Sequence, residues 1–396
     1  MVRLSSQPVD FQWGYRFVLF FVLALFLLTF LRQTLTDQSS TDVEPTLAQD
    51  AIQLAWFYRP PEVDKENEAV QLDSLRQNFD TFILTKNDES HRDKLREQGV
   101  NAPFLQYLAL DVIIDPGSCT REPWHNQVAD QPGDFCYISE HHPDWFLLTE
   151  EGERMYRDVG HGMRSVMMDP GHPGWRAFWL ERARESQETL GWDGVFLDNV
   201  EGSLFKRKRR AALPAAYPTD ASYQAAVEGF LAYLYSEYFK VEERPLYANI
   251  IEVDESEVWF RYLRYLDGGM IEGWVVGWSD DYLNPNLWEE HLRRAEQAQQ
   301  QGKHVILVAQ GREEDQRRQT FAYASYLLVT NGLASFRYTH SEEYDQPWLY
   351  DNYQLELGEP LGPRYLEGYG VWKRDFSNGS VQVDYLSHSA TIEIRD

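Results

Sequence analysis

Residues 192–199, WDGVFLDN, form an apolar run that stops on the carboxylate of Asp198. Similar short runs recur along the chain and predict eight β-strands: 52–58, 81–85, 104–110, 194–199, 246–250, 269–272, 304–309 and 334–338. Stretches with helical spacing lie between them, at 89–98, 175–190, 223–239, 287–301 and 314–330. Alternation of this kind is typical of βαβ units, and it predicts a (β/α)8 TIM barrel. A doubly wound open sheet is the alternative, although no Gly-x-Gly-x-x-Gly sequence follows a strand.

Four segments are expected from the changes in composition. Residues 1–33 form a cytoplasmic tail and a transmembrane helix, and residues 34–49 form a polar linker. Residues 50–345 form the barrel, and residues 346–396 form a small β appendage. The appendage is indicated by apolar stretches on either side of Asn378-Gly379, a sequence that favours a β-hairpin turn.

The N-terminal apolar stretch, 17–31, carries no charge. Fifteen residues suit a signal peptide, but the apolar character extends back to Phe11, interrupted only by Arg16, and this longer span has 21 residues. That length predicts an uncleaved signal anchor. Arg3 and Arg16 lie before the stretch, so the rest of the chain is expected outside the cytoplasm. Secretion after signal cleavage is the alternative.

The charge composition argues against nucleic acid as a partner. The chain holds 37 Lys and Arg against 63 Asp and Glu, a net charge of −26, and phosphates would be repelled. Aromatic residues reach 14%, with 13 Trp and 23 Tyr. Such a surplus suits stacking on the faces of sugar rings.

The stretch 111–174 interrupts the repeat, and it contains no regular unit by its pattern. Insertions of this kind after a barrel strand usually build the rim of an active site. The two cysteines of the chain, Cys119 and Cys136, lie within it. They are expected either to form a disulfide, which an exported domain permits, or to remain two buried thiols.

Catalytic side chains of barrel enzymes project from the carboxyl ends of the strands. Asp198 ends the fourth predicted strand and Glu272 ends the sixth, so both should face one cavity. Two such carboxylates are what cleavage of a glycosidic bond requires. We expect Asp198 to act as nucleophile or base and Glu272 as general acid. Glu201 is a reserve carboxylate.

Polar and aromatic residues at other strand ends are candidates for contacts with substrate, or rim residues without a specific role. They are Tyr58, Lys86, Tyr107, Asn249, Gln310 and Arg337. Trp274 is expected to form a stacking platform, and Asp169 either lines the cleft or forms a turn before the following helix. The basic run 206–210 is expected as a solvated loop, or as a grip for an acidic polysaccharide.

Other chemistries have weaker support. Four histidines, His141, His142, His161 and His172, raise the idea of zinc, but no His-Glu-x-x-His sequence is present. No Gly-x-Ser-x-Gly nucleophile elbow is present either. The sequence therefore predicts no metal and no cofactor.

Several motifs together resemble the hypothetical glycosyl hydrolase family 15. They are WDGVFLDN at 192–199, MMDPG at 167–171, PDWFLL at 143–148, MIEGW at 270–274 and GVWKRDFSNG at 370–379. The resemblance spans roughly residues 50–394 and implies a relation to α-amylase-like and polygalactosaminidase-like barrels. In such barrels the fourth-strand Asp is the nucleophile, which implies that role for Asp198.

The sequence thus predicts a glycoside hydrolase that acts on an extracellular or cell-surface polysaccharide. The alternative is an inactive carbohydrate-binding barrel of the cell envelope.

Overall fold

The computed structural model describes residues 54–57, 68–206, 213–253, 256–278 and 281–395. The expected tail, anchor and linker lie outside these residues, as does Tyr58. Among the helices within the described ranges, none combines the length and the apolar character that crossing a membrane requires.

Eight parallel strands form the main sheet. In their order around it they are β1 (Ala55–Phe57), β2 (Thr81–Leu84), β3 (Phe104–Ala109), β7 (Gly194–Glu201), β8 (Leu246–Ile251), β9 (Gly268–Glu272), β10 (His304–Gln310) and β11 (Ala334–Thr339). A parallel bridge between Leu54 and Phe336 joins the first edge to the last. The arrangement is that of a nearly closed barrel surrounded by helices, and all eight strands lie where the sequence places them.

The helices of the described chain are α1 (Glu68–Asn78), α2 (Glu89–Glu97), α3 (Asp134–His141), α4 (Pro173–Leu190), α5 (Asp220–Leu234), α6 (Ser256–Leu263), α7 (Pro285–Gln300) and α8 (Gln316–Leu327). The sequence pattern indicates five of them and misses α1, α3 and α6. A π-helical turn, Tyr235–Phe239, continues α5. Helix α4 shows how local signals set the ends. His172 caps its start and Gly191, at φ 75°, ends it.

Side chains alternate between the two faces of each strand, and both faces are buried. Leu105, Phe196, Met270 and Ile306 belong to a cluster that fills the barrel. The intervening residues of the strands pack against the helices in a second and larger cluster. Burial on both faces explains why the strands read as continuous apolar runs. The positions that point inward at the carboxyl ends of the strands are the ones that can build a site.

The insertion is regular, which corrects the expectation of about 60 residues without a regular unit. Strands β4 (Val112–Asp115), β5 (Tyr156–Gly160) and β6 (Met163–Met167) form an antiparallel sheet in the order β4-β6-β5. The pattern hides these strands because they are short and carry many polar residues. Cys119 and Cys136 form a disulfide there, with 5.7 Å between their Cα atoms. Closing a loop of this length contributes about 3 kcal/mol in the chain-entropy model.

The C-terminal residues form an antiparallel sheet of β12 (Tyr365–Gly368), β13 (Val371–Phe376), β14 (Gly379–Asp384) and β15 (Ser389–Ile394). The expected hairpin joins β13 to β14, but Phe376 pairs with Gly379. Its turn is therefore Ser377-Asn378, one residue earlier than the sequence suggests. Arg374 fixes the sheet to the helical layer through the carbonyl oxygens of Leu327 and Thr330.

Candidate active site

A cavity of about 850 Å³ lies at the carboxyl ends of the strands. Asp198 of β7 and Glu272 of β9 both line it, together with Tyr107 of β3 and Asn249 of β8. Each of these residues follows an inward-pointing residue by two positions, so alternation aims all four into the barrel. The structure thus brings together both predicted catalytic carboxylates and two of the predicted contact residues.

The side-chain amide of Asn249 joins the two carboxylates. Its Nδ2 donates to Oδ1 of Asp198 at 3.2 Å and to Oε2 of Glu272 at 2.8 Å. Because one nitrogen contacts both oxygens, these oxygens lie no more than 6.0 Å apart, the sum of the two distances. The pair faces one space between β7 and β9.

Asp198 sits on a bulge in the barrel wall. In the pairing with β8, Leu197 is opposite Ala248 and the next pair is Val200 with Ile250, so the register skips Asp198 and Asn199 on that side. Asn199 adopts a left-handed conformation with φ 55°. Bulges of this kind re-aim side chains beside active sites. Here the bulge lets Asn199 Nδ2 donate to Oδ2 of Asp198, to which the Tyr107 hydroxyl also donates.

Three donors therefore surround Asp198, counting Asn249. They hold its carboxyl group in a fixed orientation, which suits a nucleophile or a base.

Glu272 is in a different environment. Burial raises its pKa above the ordinary value, and the nearby charge of Asp198 raises it further. Hydrogen bonds from Asn249 and Tyr344 and the charge of Lys206 act in the opposite direction, and the net pKa is raised. A carboxyl group that holds its proton more tightly is suited to act as a general acid.

Tyr344 was not predicted from the sequence. It lies in the loop that follows β11, and its hydroxyl donates to Oε1 of Glu272 at 2.8 Å. Trp278 was missed as well; its side chain is 60% exposed, and it borders the cavity. Both lie in loops that follow barrel strands, β9 for Trp278 and β11 for Tyr344. Their position after a strand is the only feature of the sequence that could have indicated a place near the cavity. Lys206, the first residue of the basic run, also lines the cavity, whereas 207–210 lie outside the described residues.

Gln310 and Arg337 do not line the cavity, although both were expected to contact substrate. Both are buried; Gln310 is the last residue of β10, and Arg337 lies within β11. Gln310 Nε2 donates to the Tyr344 hydroxyl at 2.7 Å. Arg337 donates to the carbonyl oxygens of Tyr344 and Gln346, at 3.2 and 2.6 Å. They support the loop that carries Tyr344.

Trp274 is in the core, which corrects the expectation of a platform. Gly273 has a φ of 78° and ends β9, so the chain turns and Trp274 points away from the cavity. Its indole nitrogen donates to the carbonyl oxygen of Ala322 at 3.1 Å, and its ring stacks on His291.

Lys86 and Asp169 are also away from the carboxylates. Lys86 lies in the turn after β2 and pairs with Asp130 at 2.7 Å. Asp169 accepts from the backbone of Gly171 at 2.8 Å and from the Tyr217 hydroxyl, so it forms the turn before α4. Glu201, the reserve carboxylate, does not line the cavity.

The rim of the cavity also departs from expectation. Within the described residues, none from 111–174 lines it. The loop after β11 supplies Ser341, Glu342 and Asp345 instead.

Comparison with known proteins gives one family. The model of the hypothetical glycosyl hydrolase family 15 matches residues 120–380, more than half of the chain. Among curated proteins, none matches the sequence significantly.

Several solved structures resemble the fold at low identity. The glycoside hydrolase domain of PelA from Pseudomonas aeruginosa is 17% identical, with a TM-score of 0.48 over 75% of this chain and 97% of that chain. The α-galactosidase from Thermus thermophilus is 15% identical, with a TM-score of 0.45 over 85% and 68%. A maltogenic α-amylase from Thermotoga neapolitana is 12% identical, with a TM-score of 0.45 over 86% and 87%. Likeness at this level carries no inference about substrate.

The raised pKa of Glu272 predicts a pH-dependent effect of Glu272→Gln on stability. A carboxyl group with a higher pKa in the folded state binds more protons there, so it destabilises the fold as pH rises above the unfolded value of about 4.3. The free energy of unfolding of the variant, relative to wild type, should therefore increase from pH 4 to pH 7.

Urea denaturation over this pH range measures the difference. The change with pH should be smaller when Glu272→Gln is introduced into Asp198→Asn, since the charge of Asp198 contributes to the raised pKa. A difference that stays flat or decreases with pH would contradict the assignment.

Proposed function

The chain belongs to the hypothetical glycosyl hydrolase family 15, and we propose that it hydrolyses a glycosidic bond of a polysaccharide with Asp198 and Glu272. The observation that carries the proposal is the amide of Asn249, which contacts both carboxylates at the floor of one cavity. The raised pKa of Glu272 supports its role as the acid, which leaves Asp198 as the nucleophile.

We further propose that the reaction retains the anomeric configuration. Retaining enzymes hold their carboxyl groups about 5–5.5 Å apart, whereas inverting enzymes need about 6.5–9.5 Å to accommodate a water molecule. The two oxygens that Asn249 contacts, one from each carboxyl group, lie at most 6.0 Å apart, which favours the shorter of these two arrangements. The separation therefore supports direct attack by Asp198.

The steps of a retaining reaction then follow. Asp198 attacks the anomeric carbon while Glu272 gives its proton to the leaving oxygen, which breaks the glycosidic bond and leaves a glycosyl ester on Asp198. Glu272, now ionised, takes a proton from water as the water attacks the same carbon. The ester bond breaks, Asp198 is released as a carboxylate, and Glu272 is protonated again.

Trp278 is proposed to be the sugar platform in place of Trp274. An indole that is largely exposed beside a cavity has an apolar face that water solvates poorly, and sugar rings cover such faces.

The barrel is proposed to work outside the cytoplasm, tethered by the apolar stretch at 17–31. The support is the absence of charge in this stretch and the arginines before it. The disulfide between Cys119 and Cys136 adds to this, because such bonds persist in oxidising compartments.

Activity on a panel of α- and β-linked polysaccharides and aryl glycosides tests the reaction. Wild type should release sugar whose first-formed anomer, followed by proton NMR, matches the substrate. Asp198→Asn and Glu272→Gln should lose about 100-fold or more in kcat on polysaccharide, since general acid–base catalysis alone is worth that much. An inverted product would exclude the retaining step. Binding without turnover by wild type would favour the inactive carbohydrate-binding alternative, and full activity in both variants would exclude the assigned pair.

Trp278→Ala should raise KM about 5- to 20-fold with a small effect on kcat, because stacking is made in both the ground state and the transition state. Steady-state kinetics on the substrate found with wild type measures both constants. Trp124→Ala is the matched control, because Trp124 is also exposed but lies outside the cavity. Equal effects of the two substitutions would count against the platform.

Cell fractionation with thiol labelling tests the location. The full chain should remain in the membrane fraction after a high-salt wash, and deletion of residues 1–33 should abolish this retention. Cys119 and Cys136 should react with a maleimide only after reduction. Recovery of the full chain in the cytosolic fraction with both thiols reactive would reject the tether and the compartment.

A further inference from the structure

The loop after β11 carries Tyr344 into contact with the proposed acid. Its hydroxyl is 2.8 Å from Oε1 of Glu272, on the side of the carboxyl group opposite the oxygen that Asn249 contacts. Both oxygens of Glu272 thus have a fixed partner. Rotation of the carboxyl group would break both hydrogen bonds.

Gln310 sets the direction of the hydrogen bond from Tyr344. The amide nitrogen of Gln310 lies 2.7 Å from the phenol oxygen, and an amide nitrogen can only donate. It therefore occupies a lone pair of the phenol oxygen. The single hydroxyl hydrogen is left to point at Glu272.

Arg337 holds the backbone that carries the phenol. This side chain is buried within β11, and it reaches the carbonyl oxygens of Tyr344 and Gln346. It also donates to the carbonyl oxygen of Ala55 in β1, at 3.4 Å. The position of the loop is thereby fixed to the first and last strands of the barrel.

We propose that Tyr344 is a positioning residue for Glu272, oriented by Gln310 and held in place by Arg337. This inference rests on the proposed function of Glu272 as general acid and extends it to three residues that do not transfer the proton themselves. The phenol also lowers the pKa of Glu272, which opposes the effect of burial.

Tyr344→Phe removes the hydroxyl and keeps the ring, so it is the informative substitution. Loss of a hydrogen bond to a charged group should lower kcat roughly 10- to 100-fold, with KM little changed. The alkaline limb of the profile of kcat/KM against pH should move to higher pH. This follows because the lost hydrogen bond stabilises the ionised form of Glu272, and the acid must be protonated to act.

A comparison of leaving groups separates positioning from a general structural defect. Aryl glycosides whose leaving phenols are strongly acidic need little help from a general acid. The loss of kcat in Tyr344→Phe should therefore be smaller on these substrates, as should the loss in Glu272→Gln. Gln310→Leu should change both readouts in the same direction by a smaller factor. Tyr350→Phe is the matched control, because its hydroxyl donates to the carbonyl oxygen of Glu313 and it does not line the cavity.

The outcomes distinguish this inference from the proposed function. If wild type turns over substrate and Asp198→Asn does not, the hydrolase assignment stands. In that case the role of Tyr344 alone would be overturned if Tyr344→Phe left the alkaline limb of kcat/KM unmoved and lost kcat to the same extent on every leaving group. Wild type without activity on any substrate, and with no effect of Asp198→Asn on binding, would overturn the function first.

Discussion

Alternation of side chains along eight parallel strands is the constraint on which the site depends. Every second residue of each strand points into the barrel, and the inward residue at the carboxyl end faces the cavity. Tyr107, Asp198, Asn249 and Glu272 occupy that position on four neighbouring strands. Their hydrogen bonds to one another follow from the spacing of adjacent strands, since neighbours in a sheet are only about 4.8 Å apart.

The two carboxyl groups share one cavity but have different environments. Asp198 lies on a bulge where three donors reach it, whereas Glu272 is held in a buried setting beside the charge of Asp198. Neither environment can be deduced from the residue type. Each depends in part on neighbours that are distant in the sequence, such as Tyr344, which lies 72 residues after Glu272.

Local signals in the sequence predict some parts of this molecule and miss others. The strands and the two carboxylates were predictable because apolar runs and their polar ends are local signals. Lys86 lies two residues beyond β2, where strand alternation no longer applies, and Gly273 turns the chain before Trp274, so neither placement follows from the local pattern. Tyr344 has no pattern of its own in a loop, so only the fold shows its contact with Glu272. The short polar strands of the insertion were missed for a similar reason, since their stability comes from pairing with each other.

The anchoring by Arg337 has a consequence for how such a protein can change. Three of its hydrogen bonds reach main-chain carbonyl oxygens, at Ala55, Tyr344 and Gln346. Every residue type carries a carbonyl group, so substitutions in this loop leave its acceptors in place as long as the backbone path is kept. Residues such as Glu342 and Asp345 can therefore vary, and with them the lining of the cavity, while the phenol stays against Glu272. The lining of the cavity and the position of the phenol are thus separately adjustable within a loop of a few residues.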